Sequence, residues 1–540
     1  MKNKLFIFLI IGLALLLRLY KLGSFPPTLY GDEQAFAWNA YNILLTGEDE
    51  YGTPYPLQFK SFNDYKAPIP VYLLVPFIKG LGLNAFAIRL PVAIASVLTV
   101  LIIYYLSRSF FNKKISLIIS FLMAVSPWHM HLSRGFFEAT LALLWFILGI
   151  YFLIKSGGKL KLILIGIIFF TLSLYTYFTP RILVPFFLVF LIFYIPYTSG
   201  FSKKIMINFF IGIFFLIILS LPLIKMTIFD KGFSRFNKLT ETNSAIVIDT
   251  VGRERYASNL PPNWRSFFHN KMTAWYRLIK NNYLEHLSIN FWYLYGDNSL
   301  RYFTGNMGMF YLLELPFFLI GLYTLWREKR ETSIFFIGWI LLAPIPAAIV
   351  GRSFAVRSLS MLPAPFIFVG YGLHKSFLFL SEKLRYKSPF SAIIAIGYAL
   401  FLGTLLIRYY WEYPVYAATW WGWENKAAID YAKKSESDYD RIFISDFYTG
   451  APLAFAVYTA YDPVEFRKAV NNPVTMVDDR HLIRLGKYYF GSLDIDKERL
   501  KKGIIPPKSL YIARPEEADS GETINAPDDN RVIFKVYRTQ

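Results

Sequence analysis

Long apolar stretches recur along the chain and are separated by short polar segments. A transmembrane helix needs roughly 20 predominantly apolar residues, because lipid offers its backbone no hydrogen-bond partner. About eleven stretches meet this hydropathy criterion. They are Leu5–Tyr20, Leu90–Leu106, Ile115–Trp128, Ala139–Ile154, Leu162–Tyr177, Ile182–Tyr197, Ile205–Ile224, Met309–Trp326, Ser333–Val350, Ser358–Leu380 and Ala392–Ile407. The pattern predicts an α-helical polytopic membrane protein.

Two parts of this pattern allow another interpretation. The basic start followed by Leu5–Tyr20 resembles a signal peptide, but Arg18 and Lys21 follow where a small-x-small cleavage site would be needed. We therefore predict an uncleaved first transmembrane helix. Ile115–Trp128 is short for a span, and Pro68–Ala87 is a borderline stretch that we leave outside the count.

Basic residues are concentrated in the short loops on one side of the predicted spans. They are Arg108, Lys113, Lys114, Lys155, Lys159, Lys161, Lys203, Lys204, Arg327, Lys329, Arg330, Lys383, Arg385 and Lys387. Cytoplasmic loops carry an excess of lysine and arginine, so these loops and the N-terminus are predicted to be cytoplasmic. The expected location is the plasma membrane of a bacterium or an archaeon.

The remaining polar segments are then extracytoplasmic. Two large outer loops, 22–89 and 225–308, interrupt a transmembrane domain over residues 1–410. Residues 411–540 form a tail of ~130 residues, a normal domain size. Short segments rich in β-branched and aromatic residues predict strands. The predicted strands are Arg441–Ser445, Lys487–Leu493, Ser509–Ala513 and Arg531–Tyr537, and the predicted helices are Ala451–Ala460 and Asp462–Val470. The tail is therefore predicted to be a small α/β domain.

Composition narrows the possible functions. Of 540 residues, 55% are hydrophobic and 19% aromatic, which fits repeated spanning of a bilayer. The net charge of +20 would suggest nucleic acid in a soluble protein, but membrane orientation explains many of these charges, so no nucleic-acid partner is expected. The absence of cysteine excludes disulfides, thiolate catalysis and cysteine-ligated metals.

Candidate chemistry is concentrated in the first outer loop. Asp32 and Glu33 follow the first span within Gly-Asp-Glu-Gln, and Asp64 and Lys66 lie in Asn-Asp-Tyr-Lys-Ala-Pro. Most charged loop residues are simply solvated. Ionisable groups beside apolar helix ends are costly, however, and tend to mark substrate paths. Charged or phenolic residues of other outer turns add to this pattern, namely Arg134, Glu138, Tyr175, Tyr177, Arg181, Arg352 and Arg357.

The order of these motifs resembles that of the membrane glycosyltransferases of the GT-C fold. Gly-Asp-Glu is followed by Asp-Tyr-Lys-Ala-Pro, by Arg-Leu-Pro, and by Ser-Pro-Trp-His with a later Ser-Arg and Glu. More closely, the chain resembles the branch with protein O-mannosyltransferases and the aminoarabinose transferases that modify lipid A, over roughly residues 1–423. The resemblance implies transfer of a hexosyl or pentosyl group from a polyprenyl-phosphate donor to a lipid, glycan or protein acceptor.

The resemblance also implies roles for individual residues. Asp32 matches the catalytic acid–base residue, with Glu33 beside it. Asp64 and Lys66 match a second acidic residue and a lysine that contacts phosphate.

Three further residues, outside the first outer loop, match charged positions of the family. Glu138 matches an acidic position at the start of a span, and Arg357, less readily Arg352, matches a basic position near the lipid phosphate. One departure concerns the first outer loop. The family's lysine is often followed directly by two prolines, whereas here Ala67 precedes Pro68, which weakens the exact placement of that loop.

The residues support the same chemistry without the family. A carboxylate such as Asp32 can take the proton of an acceptor hydroxyl, which is otherwise a poor nucleophile. A departing lipid phosphate needs cations, for which Lys66 and Arg357 are the candidates. One base and one leaving group predict direct displacement with inversion at the anomeric carbon. Arg134, Tyr175, Tyr177 and Arg181 are candidates for the substrate lining.

A divalent metal is compatible with the acidic residues. Asp32, Glu33, Asp64 and Glu138 offer the oxygen ligands that Mg²⁺, Mn²⁺ or Ca²⁺ prefer. His129 and His131 offer nitrogen ligands to Zn²⁺, but no third or fourth ligand lies nearby in sequence, which favours interfacial packing. We assign no metal ligand.

Aromatic clusters likewise allow two interpretations. Tryptophan concentrates at membrane interfaces and also stacks on sugars, and the interfacial interpretation is favoured here. The residues concerned are Trp411, Trp420, Trp421 and Trp423 at the start of the tail, and Trp275, Tyr276, Tyr283, Trp292 and Tyr293 in the second outer loop.

Two other functional classes compete with a transferase. A transporter or flippase of lipid-linked sugars is also polytopic, but it usually carries charges at the bilayer midplane and internal repeats, and neither pattern is visible here. No Gly-x-x-x-x-Gly-Lys-[Ser/Thr] phosphate loop is present either, which argues against ATP-driven transport by this chain. A membrane-anchored binding protein would not need about eleven helices.

Overall fold

The structure is a computed structural model of the chain. It describes residues 2–62, 64–200, 202–229, 245–351, 355–383, 387–476, 479–493, 495, 498, 500, 503–518 and 521–539. Most of these residues are helical, and a mixed β-sheet lies in the C-terminal part.

Each apolar stretch predicted from hydropathy contains a helix, although residues 309–313 at the start of one predicted stretch are not helical. Those before residue 230 are α1 (Lys2–Leu19), α2 (Gly31–Thr46), α3 (Pro68–Leu81), α4 (Ala85–Ser107), α5 (Lys113–Val125), α6 (Pro127–Leu132), α7 (Glu138–Ser156), α8 (Leu160–Leu174), α9 (Phe178–Ser199) and α10 (Lys203–Phe229). The next group is α11 (Ala245–Ala257), α12 (Pro262–Phe268), α13 (Lys271–His286), α14 (Glu314–Glu328), α15 (Arg330–Leu342), α16 (Ile345–Val350), α17 (Ala355–Ser358), α18 (Ala364–Lys383) and α19 (Lys387–Ile407). The tail contains α20 (Tyr413–Tyr416), α21 (Trp423–Lys434), α22 (Ala451–Thr459) and α23 (Pro463–Asn471).

Length and composition identify the helices that can cross a membrane. Within the described residues six helical segments are long and apolar enough, and a pair bent by 56°, Ala355–Met361 with Ala364–Ser381, would make a seventh. Leu5–Leu19, Pro68–Leu81 and Leu160–Leu174 are apolar but shorter. The chain is therefore an integral membrane protein. The count of about eleven spans and the side on which each loop lies stay predictions.

Close approach of two helix backbones shows how tightly the apolar helices pack. A side-chain carbon at Gly321 of α14 would collide with the carbonyl oxygen of Phe368 in α18. One at Gly372 of α18 would collide with the carbonyl oxygen of Phe317 in α14. Small residues at such contacts let helices associate in lipid, where no hydrophobic force drives them together.

The predicted α/β tail contains a mixed seven-stranded sheet. Its strands are β3 (Arg441–Ile444), β4 (Val474–Met476), β5 (Arg480–Leu485), β6 (Tyr488–Phe490), β7 (Ser509–Ala513), β8 (Glu522–Asn525) and β9 (Val532–Arg538). The order is β4-β5-β6-β3-β7-β9-β8, with β3 parallel to β6 and β7 and the other pairs antiparallel. The four predicted strands and two predicted helices are confirmed, and β4, β5 and β8 were not predicted.

The chain folds into two compact units, each made of segments that are distant in sequence. One unit, here called the helical unit, comprises residues 1–20, 92–133 and 137–405, which include most of the apolar helices. The other, here called the loop–tail unit, comprises residues 21–91, 134–136 and 406–540. The first outer loop and the C-terminal sheet thus belong to one unit. The boundary at residue 411 between a transmembrane and a soluble domain stays a prediction.

Contacts inside the loop–tail unit join the first outer loop to the tail. The Trp38 ring of α2 meets the Phe466 ring of α23 edge to face, with 4.9 Å between ring centroids. The Arg467 guanidinium pairs with the Glu48 carboxylate, and the Tyr458 hydroxyl accepts a hydrogen bond from Leu29 N at 3.1 Å. The tail therefore buries one face of α2.

Candidate functional site

A lysine in the first outer loop brings two of the predicted acidic residues together. The Lys66 ammonium forms an ion pair with the Asp32 carboxylate and lies 3.5 Å from Asp64 Oδ2. Lys66 is almost buried, with 7% of its side chain exposed, whereas Asp32 is 39% and Asp64 34% exposed. A cation therefore lies at the base of the cluster, and the carboxylates face its open side.

A short hairpin fixes the position of Lys66. Strands β1 (Phe59–Ser61) and β2 (Asp64–Lys66) pair antiparallel, with Phe59 opposite Lys66 and Ser61 opposite Asp64. Ala67 is the N-cap of α3, and Pro68 occupies the first position of that helix, where its missing N–H costs nothing. The alanine that departs from the family pattern thus ends the strand and starts the helix.

A buried ion pair holds the segment that carries Asp32. Glu33 Oε1 lies 3.0 Å from Arg89 Nε and accepts a hydrogen bond from Phe136 N at 2.8 Å. Glu33 Oε2 accepts hydrogen bonds from Arg89 Nη2 at 3.2 Å and from Tyr30 N at 3.3 Å. Both side chains are fully buried. The Glu33 carboxylate is therefore saturated by protein donors.

The arginine of this pair also binds the loop that precedes α2. Arg89 donates to the carbonyl oxygens of Leu22, Pro26 and Thr28, at 3.2, 2.9 and 2.6 Å. One guanidinium thus fixes both the backbone before α2 and the residue next to Asp32. Arginine suits this role because its donors have a fixed planar arrangement.

Two predicted residues of the loop–tail unit pack against aromatic rings. Arg134 is buried and lies 5.2 Å from the Tyr409 ring centroid and 5.3 Å from that of Tyr410. Trp421 is buried, donates through Nε1 to the Tyr413 hydroxyl at 2.6 Å and meets Tyr30 edge to face. Trp421 is therefore a core residue, whereas Trp411 is 72% exposed, as an interfacial position requires.

A half-buried carboxyl group, that of Glu50, is hydrogen-bonded to the hairpin. It accepts hydrogen bonds from Ser61 Oγ at 3.0 Å and Asn39 Nδ2 at 3.4 Å. Burial raises the pKa of Glu50 from 4.5 to about 7. A carboxyl group whose folded pKa is raised contributes stability that is fully present below the unfolded pKa and is lost as pH rises through the folded pKa.

Glu50→Gln should therefore remove a pH dependence of stability. Between pH 5 and pH 8 the wild-type free energy of unfolding should fall relative to that of the variant, by on the order of 1–3 kcal/mol. Thermal unfolding of both proteins in one detergent across this pH range measures the difference. A constant difference across the range would show that Glu50 titrates with its ordinary pKa.

In the helical unit, Tyr177, Glu138 and Arg357 are close enough to interact electrostatically. Tyr177 is the N-cap residue of α9 and lies in the turn after α8, outside both helices. Burial raises the pKa of the Tyr177 hydroxyl above its usual value, and Arg357 opposes this effect while Glu138 adds to it. Tyr177 and Arg357 also line one small cavity, together with Thr179 and Val356. Arg352, the second candidate arginine, lies outside the described residues.

Asp297 is a functional candidate that sequence reasoning missed. It is buried, and its carboxylate accepts hydrogen bonds from Ser299 N at 2.8 Å and from Ala355 N, the first residue of α17. Trp128 Nε1 donates to the carbonyl oxygen of Ala355 at 3.0 Å. Burial raises the pKa of Asp297 from 3.8 to about 6, and Arg357 opposes this effect. Asp297 therefore anchors the short helix that carries Arg357.

The other two predicted lining residues contact neighbouring helix ends. The Tyr175 hydroxyl donates to the carbonyl oxygen of Leu219 at 3.0 Å. Arg181 Nε donates to the carbonyl oxygen of Leu174 at 3.1 Å, and its guanidinium lies 5.7 Å from the Phe178 ring centroid. These contacts fix the turn between α8 and α9.

In the part of the chain that the structure describes, several of the candidate metal ligands contact protein groups instead. Within the described part of the chain, no three histidine, aspartate or glutamate side chains form a group that could hold a metal ion. Glu33 is saturated by Arg89 and backbone N–H groups. His129 Nδ1 lies 2.9 Å from Arg18 Nη2, and His131 Nε2 lies 2.9 Å from the carbonyl oxygen of Arg301. Both histidines are buried polar groups with protein partners.

Comparison with known proteins gives a family match and a shared fold. A family model described as dolichyl-phosphate-mannose-protein mannosyltransferase matches residues 65–224. No curated protein matches the chain. ArnT from Cupriavidus metallidurans in the apo state is similar with a TM-score of 0.53 at 12% identity, over 99% of this chain and 98% of that chain. The same protein bound to undecaprenyl phosphate gives 0.53 at 12%, over 98% and 97%.

A third solved structure is larger than this chain. The archaeal oligosaccharyltransferase AglB from Archaeoglobus fulgidus, in complex with an inhibitory peptide and a dolichol-phosphate, has a TM-score of 0.49 at 13% identity. The match covers 84% of this chain and 63% of the oligosaccharyltransferase. The similarity to ArnT extends over nearly all of both chains and carries the conclusion on fold. The chain has the GT-C fold, as its motifs predicted.

Proposed function

We propose that this protein, with its GT-C fold, transfers a sugar from a polyprenyl-phosphate donor to an acceptor hydroxyl on the outer face of the membrane. The match to a mannosyltransferase family model and the similarity to a protein that binds undecaprenyl phosphate support a lipid-phosphate donor. The transferred group is a hexosyl or pentosyl unit. The fold alone does not imply this activity, so the proposal depends on the site.

The cluster of Asp32, Lys66 and Asp64 is the observation that carries the proposal. It combines a half-exposed carboxylate with an almost buried cation in direct contact. In the proposed step Asp32 takes the proton of the acceptor hydroxyl, and the acceptor oxygen attacks the anomeric carbon. The bond from that carbon to the phosphate oxygen breaks, and the polyprenyl phosphate leaves with the electron pair. Attack opposite the leaving group inverts the anomeric configuration.

Lys66 is proposed to stabilise the departing phosphate. Negative charge grows on the phosphate oxygen as the bond breaks, and a pre-positioned cation lowers the energy of that state. Lys66 is held in place by the hairpin and by its two carboxylate partners, so little reorganisation is needed. Asp64 then supports Lys66. The roles implied by the family resemblance stay predictions for three other residues. These are contact with the lipid phosphate for Arg357 or Arg352, and an acidic position at the start of a span for Glu138.

Glu33 is proposed to position Asp32 and not to exchange protons. Its two oxygens already accept four hydrogen bonds, from Arg89 and from two backbone N–H groups. A base must have an oxygen within reach of the proton that it removes. Arg134, Tyr175, Tyr177 and Arg181 remain proposed substrate-lining residues.

A donor panel tests the proposed function. The purified protein in nanodiscs is incubated with radiolabelled polyprenyl-phosphate sugars and candidate acceptors, and release of polyprenyl phosphate is measured. Consumption of one donor, with a product of inverted anomeric configuration, supports the proposal. A product that retains the donor configuration contradicts direct displacement. Translocation of the donor lipid without consumption would favour a flippase.

Lys66→Gln should lower kcat by about 10²-fold, because removing one stabilising donor at a developing anion typically has this effect or a larger one. Lys60→Gln is the matched control, since Lys60 lies in the same hairpin but places its ammonium over the Tyr51 ring at 4.8 Å. Donor consumption by both variants is measured at saturating donor. Equal losses in the two variants would indicate damage to the hairpin, and no loss in either would remove Lys66 from the reaction.

A further inference from the structure

A large apolar cavity lies within the helical unit. Its volume is about 720 Å³, and residues of α1, α5, α18 and α19 line it. Most of these are leucine, isoleucine, alanine and phenylalanine side chains. Ligand cavities of proteins commonly have this size and this apolar character, with a few polar groups that fix orientation.

The polar groups of this cavity are gathered at one end. Lys114 belongs to the first turn of α5, whereas Val125 at the end of α5 also lines the cavity. Phe121 of α5 meets Tyr398 of α19 edge to face, with 5.8 Å between ring centroids, so these two helices are in contact beside the cavity. His374 and Ser391 line it with Lys114. In the part of the chain that the structure describes, neither the Lys114 nor the His374 side chain forms a hydrogen bond or an ion pair with another residue.

The length of the cavity matches one leaflet of a bilayer. Lys114 and Val125 are eleven residues apart on one helix, which corresponds to roughly 16 Å at a rise of 1.5 Å per residue. The hydrocarbon core of a bilayer is about 30 Å thick, so one leaflet spans about 15 Å. An acyl chain that starts at Lys114 would therefore end near the bilayer midplane.

We propose that this cavity binds one anionic glycerophospholipid from the leaflet nearest the N-terminus of α5, which is the cytoplasmic leaflet in the predicted orientation. One acyl chain fills the apolar part, and the headgroup phosphate contacts Lys114 and His374. Basic pockets between transmembrane helices bind anionic headgroups in this way. A polyprenyl chain is much longer than one leaflet and does not match the length of the cavity.

Native mass spectrometry of the full chain with added phosphatidylglycerol tests this site. One lipid should bind, and Lys114→Gln should weaken binding about fivefold, the effect of one cation near an anionic headgroup. Lys113→Gln is the matched control, because Lys113 carries the same charge on the same turn but does not line the cavity. Equal weakening by both variants would overturn the proposal, since it would indicate a diffuse surface effect.

Two further binding measurements distinguish the lipids that could fill the cavity. Phosphatidylcholine should bind more weakly than phosphatidylglycerol, and equal binding would overturn the role of the cations. Undecaprenyl phosphate should not displace phosphatidylglycerol, and displacement would overturn the choice of lipid in favour of the donor carrier.

A substitution in α19 tests the location of the bound lipid. Ala395→Trp fills the cavity from α19 and should abolish binding of phosphatidylglycerol. Retained binding in a folded Ala395→Trp variant would place the lipid elsewhere.

Discussion

Asp32→Asn should lower kcat for donor consumption by about 10²–10⁴-fold, the range expected when a general base is lost. An asparagine side chain has nearly the same shape as that of aspartate, but it cannot take the proton of the acceptor hydroxyl. The Asp32 carboxylate is 39% exposed, and the almost buried Lys66 keeps Asp64 as a second carboxylate partner at 3.5 Å when Asp32 is replaced, so the loss of stability should be only on the order of 1 kcal/mol. The variant should therefore fold and unfold almost like the wild type while its activity is lost.

Asp64→Asn is the matched control for this substitution. Asp64 Oδ2 lies 3.5 Å from the Lys66 ammonium, and the Asp64 side chain is about as exposed as that of Asp32. Replacing Asp64 leaves the closer contact between Asp32 and Lys66 in place. We expect a smaller loss of kcat in Asp64→Asn than in Asp32→Asn. If Asp32→Asn retains full activity and Asp64→Asn loses it, the base is Asp64. If both retain activity, the proposed base is wrong.

Glu33→Gln should lower the free energy of unfolding by about 3–5 kcal/mol, because it leaves the Arg89 guanidinium buried without a counter-charge. The loss corresponds to a factor of about 10²–10⁴ in the unfolding equilibrium. Chemical denaturation in detergent measures this loss. At a temperature where the variant is folded, its kcat should stay well above that of Asp32→Asn, since Glu33 is proposed to position and not to react.

A double substitution separates the ion pair from the arginine's other contacts. Glu33→Gln with Arg89→Met removes both charges, which by itself often restores stability. Here the carbonyl oxygens of Leu22, Pro26 and Thr28 also lose their donor, so recovery should be incomplete. Full recovery would show that these three hydrogen bonds contribute little. A Glu33→Gln variant as stable as the wild type would contradict the structural role of the pair.

Elements defined by local sequence could be predicted well. Hydropathy located all the long apolar helices, because the signal for a lipid-exposed helix is contained in the segment itself. Strands β3, β6, β7 and β9 were predicted for the same reason, since each has a run of apolar or aromatic residues. The missed strand β5 has mostly exposed or half-exposed residues, and β4 has none that is buried, so their sequences carry little strand signal.

Contacts between distant residues could not be predicted in the same way. Asp32 and Lys66 were assigned to one loop, but their direct contact depends on a hairpin whose strands have three residues each. Arg89 was noted only at the start of a span, and its pairing with Glu33 joins positions that no local pattern links. Asp297 was missed because its signal is a single buried acidic residue in a loop whose burial only the fold reveals.

The packing of α2 against the tail has a consequence for how such chains can diverge. Trp38 and Glu48 of the first outer loop meet Phe466 and Arg467 of the tail, so a change on either side alters the surface that the other needs. The two segments should therefore be inherited together. A chimera that takes its tail from a relative would need residues 21–91 from the same relative, although more than 300 residues of sequence separate the two.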